Sequence, residues 1–191
     1  VDLSHNWAFA GVETPIMSVG TFGSCLLQDD IVDYLERTLE TIVPTTQVTV
    51  LAIREKTDAT SRTSALFGVQ DTSVGGGSRC GAHVPWNDGT VYWDFGGQSG
   101  ANRLSVASLS FTGVEHWAFT AGRMGMRIYQ NGLQRASSAT AVTRTADSAL
   151  AFRIGNGNGT TGSDFQKIYF FALLNEEWTH GQVLEWIANP Y

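Results

Sequence analysis

The sequence predicts a single all-β domain, a sandwich or a barrel, from three observations. The chain has 191 residues, the size of one ordinary domain. Its 21 glycines and only 4 prolines indicate many tight turns and no proline-rich linker. Short apolar or alternating runs follow one another at a spacing of about ten residues with glycine or polar residues between them, a pattern typical of sandwiches and barrels.

Six of these runs predict strands from their own pattern: 47–54, 90–95, 117–121, 126–130, 150–154 and 167–174. The first has apolar residues at both its odd and its even positions, which predicts a strand covered on both faces. The second alternates, which predicts a half-buried strand. Asn131-Gly132 favours a type I′ hairpin turn. The parity of Trp93, Trp117 and Phe119 predicts that all three pack between the sheets.

Three further segments do not follow the strand pattern. Thr179 and Gln182 fit a capping box, which predicts a short C-terminal helix or turn ending before Pro190. Residues 29–42 have apolar positions spaced like a helix face, so periodicity alone favours a helix there. Residues 1–20 are mixed and turn-rich, and we expect them to form an N-terminal arm that reaches out of the domain.

Several pieces of the chain, read in order, resemble laminin-G-like domains of the concanavalin A-like lectin/glucanase superfamily. The similar segments are QDDIVDYLE (28–36), PTTQVTVLAIR (44–54), HWAF (116–119), RIYQNG (127–132), FRIG (152–155), and 165–174 followed by WTHGQV (178–183). The resemblance extends from about residue 26 to residue 191. It implies an antiparallel jelly-roll β-sandwich of two sheets over residues 21–191, in which the segment 29–42 contributes a strand.

The carboxylates do not form the pattern that glucanases of this superfamily use. Those enzymes carry an E-x-D-x-E triplet on one strand, so that alternate carboxylates flank a glycosidic bond. The sequence has no such triplet, and neighbours such as Glu176 and Glu177 would point to opposite faces of a strand. The four histidines are scattered without metal-ligand spacing, and no G-x-S-x-G elbow occurs. We therefore expect no catalytic residues and no enzyme activity.

Calcium is the one cofactor that the sequence leaves open. Some laminin-G-like domains bind it at the rim, so the resemblance implies a site at Asp164 with Asn156 or Asn158, whose oxygens suit this ion. Otherwise we expect no cofactor. Cys25 and Cys80 are expected to be buried thiols, with one disulfide as the alternative.

One predicted loop carries the residue types of a ligand site. Trp86 precedes Asn87 and Asp88, and Tyr92 follows on the next strand. A tryptophan face with planar polar groups beside it suits a sugar. A core or protein-contact role for the same aromatic residues is the alternative.

Charge and hydropathy limit the partners. A formal charge of −6 argues against nucleic acid, and no apolar run approaches the length that membrane insertion requires. We expect no signal peptide at the start of the chain, and the chain resembles compact laminin-G-like chains of tailed-bacteriophage virions. This resemblance implies a non-catalytic virion surface protein, assembled in the host cytoplasm as a capsid decoration or tail component. Its partners would be further copies of itself, capsid or tail proteins, and host-surface polysaccharide.

Two other functions remain as alternatives. The first is a carbohydrate-binding module of a secreted, extracellular protein. The second is a glycoside hydrolase or lyase.

Overall fold

The chain folds into two antiparallel sheets and one helix. The computed structural model describes residues 8–10, 16–20, 23–28, 34–37, 42–58, 60–63, 65–69, 76–107, 109–111, 113–156 and 165–189, the first three ranges as strand backbone only. The elements of these ranges are β1 (Ala8–Ala10), β2 (Ile16–Gly20), β3 (Gly23–Gln28), β4 (Tyr34–Arg37), β5 (Val48–Lys56), β6 (Phe67–Val69), β7 (Cys80–His83), β8 (Val91–Phe95), β9 (Arg103–Val106), β10 (Val114–Gly122), β11 (Gly125–Gln130), β12 (Leu133–Ser138), β13 (Phe152–Ile154), β14 (Gln166–Leu174) and α1 (His180–Ala188).

The strands are divided evenly between the sheets. Sheet 1 has the order β1-β4-β13-β6-β7-β8-β9, and sheet 2 has the order β12-β11-β10-β5-β14-β3-β2. Consecutive strands form hairpins in both sheets, and other neighbours, such as β13 and β6 or β5 and β14, come from distant parts of the sequence, as in a jelly roll. The predicted fold class, an antiparallel jelly-roll β-sandwich with a short C-terminal helix, is confirmed.

The core lies between the two sheets and is rich in aromatic rings. Trp93, Trp117 and Phe119 have no exposed surface, which confirms the prediction from their parity. The ring of Phe67 on sheet 1 lies 5.8 Å from those of Trp93 and Phe119, so it joins both layers. Cys80 is buried in the same core, as expected, and the side chain of Cys25 lies outside the described residues.

Helix α1 covers the outer face of sheet 2. Val183 and Trp186 of the helix pack on Leu51 and Ile53 of β5, whose other face lies in the central core. Strand β5 is therefore covered on both sides, as its apolar pattern predicted. The helix begins with the predicted capping box, in which Thr179 and Gln182 each bond the other's backbone.

The segment 29–42 contains a strand where periodicity alone favoured a helix. Tyr34–Arg37 is β4, which pairs with β1 and β13, and Leu35 faces the core. The strand that the family resemblance implied is therefore present. The helix prediction is wrong for these residues. Leu35 lies on the buried face of the sheet and its neighbours on either side point outward, as in a strand. Residues 29–33 and 38–41 lie outside the described residues.

Two parts of the expected N-terminal arm are edge strands. Ala8–Ala10 pairs with β4 at one edge of sheet 1, and Ile16–Gly20 pairs with β3 at one edge of sheet 2. The second pairing crosses the expected boundary at residue 20, since Gly20 pairs with Gly23. These segments are held within the sandwich because the sheets satisfy their backbone groups. Residues 1–7 and 11–15 are outside the described ranges.

Turn chemistry fixes the hairpin between β11 and β12. Asn131 and Gly132 have φ values of 52° and 82°, the positive values that a type I′ turn requires. Asn131 also accepts a hydrogen bond from the backbone N–H of His116 at 2.8 Å. The predicted hairpin is confirmed.

Among the described residues, no helix has the length and hydropathy to cross a membrane.

Candidate functional site

A row of paired residues crosses the outer face of sheet 1. Strand register places six residues from different strands side by side. They are, in order across the sheet, Glu36, Arg153, Gly68, Gly81, Asp94 and Arg103. Two glycines thus occupy the middle of the row, and an arginine–carboxylate pair lies on each side of them.

The pair at the β8–β9 side is held by a bidentate contact. Nε and Nη2 of Arg103 donate to the two carboxylate oxygens of Asp94, each at 2.6 Å. The guanidinium carbon lies 4.5 Å from the ring centroid of Tyr92. Burial lowers the pKa of Arg103, but the hydrogen bonds and charge of Asp94 outweigh it, and the net pKa is raised. We call Tyr92, Asp94 and Arg103 the Asp94 wall.

The pair at the β4–β13 side repeats this arrangement. Nε of Arg153 donates to Glu36 at 2.6 Å, and its guanidinium carbon lies 4.2 Å from the ring centroid of Tyr34. Tyr34 and Glu36 belong to one strand, as Tyr92 and Asp94 do. We call Tyr34, Glu36 and Arg153 the Glu36 wall. Each wall therefore consists of an arginine that bonds a carboxylate and lies over a tyrosine ring.

Between the walls lies a recess, which we call the glycine trench. Gly68 and Gly81 face each other in the register of β6 and β7 and form its floor. A Cβ at Gly81 would meet the Cα of Gly68 at 3.0 Å, so the close approach of the strands requires glycine there. Arg79 and His83, two residues on either side of Gly81, also line the recess and are almost fully buried.

The turn between β7 and β8 carries the binding residues that the sequence predicted. Trp86 and Thr90 are joined by a backbone hydrogen bond, and the backbone N–H of Thr90 donates to Asp88 at 2.8 Å. The hydroxyl of Tyr92 donates to the other carboxylate oxygen of Asp88 at 2.8 Å. Trp86 is half-buried, and Asn87 is exposed at the tip of the turn. The structure thus brings together Trp86, Asp88 and Tyr92.

The hydrogen bonds of the turn set the ionisation of its carboxylate. Loss of hydration raises the pKa of Asp88, but the bonds from Thr90 and Tyr92 outweigh it and the net pKa is lowered. The hydrogen bond to Asp88 raises the pKa of Tyr92. At neutral pH Asp88 is therefore a carboxylate that already accepts a hydrogen bond from the Tyr92 hydroxyl.

His83 connects the turn with the trench. Its ring centroid lies 4.4 Å from that of Trp86 and 6.4 Å from that of Tyr92, in edge-to-face geometry. His83 also lines the glycine trench. The tryptophan of the turn, Tyr92 of the Asp94 wall and the trench are consequently joined through His83, which is itself almost fully buried.

Sequence reasoning missed most of this surface. In β8, Tyr92 and Asp94 alternate with the apolar Val91 and Trp93. This alternation could have identified Asp94 as a residue on the same face as Tyr92. Nothing local could have identified the Glu36 wall, because Glu36 and Arg153 are 117 positions apart.

The calcium prediction cannot be placed on the described chain. Asp164 and Asn158 lie outside the described residues, and Asn156 is a buried residue just after β13. Within the described ranges, no group of three or more His, Cys, Asp or Glu side chains could hold a metal ion. The site at Asp164, Asn156 and Asn158 stays a prediction.

Comparison with known proteins identifies similar structures but no similar sequences. No model of a protein family matches the chain, and no curated protein matches it. Domain 4 of AbnA, a GH43 extracellular arabinanase from Geobacillus stearothermophilus, solved in complex with arabinotriose, has a TM-score of 0.68 at 13% identity. The match covers 94% of this chain and 86% of that one.

The binding domain of botulinum neurotoxin DC is a second similar structure. Its complex with SialylT has a TM-score of 0.67 at 10% identity, and its complex with rat synaptotagmin II has a TM-score of 0.64 at 10% identity. Each match covers 97% of this chain and 46% of the other, so this chain spans about half of that binding domain. At such identities the likeness shows the fold alone, an antiparallel β-sandwich of two sheets.

Proposed function

We propose that this chain is a non-catalytic carbohydrate-binding domain whose ligand site is the surface formed by Trp86, His83 and the Asp94 wall. The observation that carries the proposal is the continuity of this surface. A half-buried tryptophan, an oriented carboxylate and an arginine lie together on the outer face of one sheet. Sugar sites combine an aromatic face with a few fixed polar groups in this way.

The similar structures support a carbohydrate ligand. The arabinanase domain holds arabinotriose, and one neurotoxin complex holds SialylT. None of the three structures described above is a virion protein. The carbohydrate-binding module, which the sequence analysis held as the alternative, is therefore better supported than the virion surface role.

The carboxylates of sheet 1 support a non-catalytic role. Glycosidases need two carboxyl groups about 5–9.5 Å apart. Glu36 and Asp94 lie four strands apart, which separates their backbones by about 19 Å. Each also bonds an arginine at 2.6 Å. Incubation with arabinan, laminarin or agarose should release no reducing sugar, and hydrolysis that disappears in Asp94→Asn would contradict the proposal.

The binding experiment compares two tryptophans. Titration calorimetry with arabinotriose and with a sialylated oligosaccharide measures the affinity of the unaltered protein. Trp86→Ala should weaken binding by about tenfold or more, as loss of a central aromatic contact does. Trp178→Ala is the matched control, because Trp178 is also half-buried in a loop but packs with the cluster under α1. Equal losses in both variants, or no binding of any glycan, would refute the proposed function.

A second comparison tests the polar part of the site. Tyr92→Phe removes the hydroxyl that holds Asp88, and should weaken glycan binding. Tyr169→Phe is its control, because the Tyr169 hydroxyl similarly donates to Glu55 at 2.5 Å, but in sheet 2. A normal affinity in the Tyr92 variant would show that the polar groups of the turn do not contribute to glycan binding.

A further inference from the structure

His83 is buried although it lies on the outer face of sheet 1. It is the last residue of β7, and Cys80 and Ala82 of the same strand belong to the central core. By alternation the side chain of His83 points away from that core, yet the residue is only 5% exposed. A neighbouring group on the outer face therefore covers its imidazole ring.

The covering group is the turn that carries Trp86. The imidazole and indole rings lie 4.4 Å apart between centroids, with their planes at 74°. Within the described ranges, His83 is the aromatic ring on which Trp86 packs. Backbone hydrogen bonds from Trp86 to Thr90 and from Gly89 to Trp86 close the turn, but they do not fix the side-chain torsions of the tryptophan. The contact with His83 therefore restricts the orientation of the indole.

The same imidazole ring lies beside the polar part of the site. His83 and Tyr92 are directly opposite each other in the register of β7 and β8, and their rings are 6.4 Å apart with planes at 81°. The Tyr92 hydroxyl donates to Asp88, and the Arg103 guanidinium lies over the Tyr92 ring. One buried ring thus lies between the aromatic group of the site and its polar groups.

An indole that is held in place before the ligand arrives favours binding. A side chain that has to be ordered on binding lowers the affinity by about two- to tenfold. Trp86 remains partly exposed while it packs on His83, so a ligand can reach the indole without breaking that contact. Asp88 is exposed, and its carboxylate has lone pairs beyond the two hydrogen bonds that it accepts from Thr90 and Tyr92.

We propose that His83 is a positioning residue of the glycan site, whose imidazole ring holds the Trp86 indole at a fixed place relative to Tyr92 and Asp88. It acts through Trp86 rather than by contact with the ligand. The ligand that this arrangement fits stacks a sugar ring on the indole and donates a hydroxyl to Asp88. The inference rests on the proposed function and specifies what controls the affinity of that site.

The first test removes the imidazole ring. Titration calorimetry uses arabinotriose or the sialylated oligosaccharide, whichever binds the unaltered protein more tightly. His83→Ala should weaken binding by about two- to tenfold, because Trp86 is then ordered only when the ligand binds. His83→Phe restores a ring and should recover most of that loss. The matched control is His116→Ala, because His116 makes a similar edge-to-face contact with Trp186, at 5.9 Å and 73°, on sheet 2. The control should bind normally.

A spectroscopic measurement shows whether the effect acts through Trp86. Fluorotryptophan replaces all six tryptophans, and the Trp86 resonance in the fluorine NMR spectrum is assigned from its absence in Trp86→Phe. In His83→Ala this resonance should move towards the position of free fluorotryptophan. The resonances of Trp93 and Trp117, which are buried in the central core, should stay in place. An unmoved Trp86 resonance would overturn the inference.

Thermal unfolding of each variant identifies any loss of fold. If His83→Ala is unfolded, His83→Asn replaces it, since asparagine keeps a polar group near the position of Nδ1 but has no ring. Normal affinity in the folded variant without a ring, a loss that His83→Phe does not recover, or an equal loss in His116→Ala would refute the positioning role. If Trp86→Ala still abolishes binding, only the positioning role fails; if no glycan binds the unaltered protein, the proposed function fails as well.

Discussion

Trp117→Ala should remove a central support of the core rather than a ligand contact. The indole is fully buried and stacks on Phe119, with ring centroids 5.8 Å apart and planes at 5°. Its N–H donates to Glu115 at 3.1 Å, and the guanidinium of Arg54 lies 5.8 Å from its ring. Large buried aromatic residues cost about 3–5 kcal/mol when truncated to alanine. The buried bond to Glu115 places this variant near the upper end of that range.

Urea unfolding followed by circular dichroism measures this loss. The slope of unfolding free energy against urea should stay unchanged while the midpoint falls. Trp117→Phe keeps a stacked ring but loses the N–H donor and part of the buried indole volume, so it should cost less than the alanine variant, about 1–3 kcal/mol. Trp86→Ala should change stability by less than about 0.5 kcal/mol, since Trp86 is a half-buried turn residue. A loss below about 1 kcal/mol in Trp117→Ala, together with lost glycan binding, would refute this reasoning.

Three further predictions concern stability. Gly96→Ala should cost on the order of 3 kcal/mol in urea unfolding, because φ is +86° and a Cβ would lie 2.1 Å from the carbonyl oxygen of Thr143. Gly89→Ala, at φ +80° but with open space around it, should cost only about 1 kcal/mol, and equal losses would show that the contact is unimportant. Thr179→Ala should cost about 1 kcal/mol through loss of the helix cap, with Thr179→Ser restoring most of it. Burial lowers the pKa of His116, so the unfolded chain binds the proton more readily. The free energy of unfolding should therefore fall as the pH drops below about 6.5, and His116→Gln should flatten that decline.

The strands that the sequence predicted are those whose burial is decided locally. In β10, Trp117, Phe119 and Ala121 alternate with outward residues, and in β5 both parities are apolar because α1 covers the second face. Strand β4 was ambiguous for the opposite reason. It has four residues, and a single buried leucine cannot distinguish a period of 2 from one of 3.6. Its sheet partners β1 and β13 determine its conformation, and they lie far away in the sequence.

The candidate site likewise has one part that the sequence predicted and one part that it did not. Trp86, Asp88 and Tyr92 lie within seven positions of one another, so turn chemistry and parity brought them together in the sequence analysis. The Glu36 wall depends on the pairing of β4 with β13 in sheet 1. Strand order is a property of the jelly-roll topology, and no local pattern encodes it. The part of the site made by one hairpin was therefore predictable, and the part made by sheet order was not.

The composition of the row on sheet 1 is poorly explained by stability alone. Glycine inside a strand costs about 0.5–1 kcal/mol relative to alanine, and Gly68 and Gly81 sit side by side. Ion pairs near a surface contribute little, so Glu36 with Arg153 does not offset that cost. Close strand approach explains Gly81. It does not explain why both neighbouring positions hold an arginine, a carboxylate and a tyrosine in the same arrangement. On the Asp94 side the proposed glycan site gives this arrangement a role, because the Tyr92 ring lies 6.4 Å from that of His83, which in turn contacts Trp86.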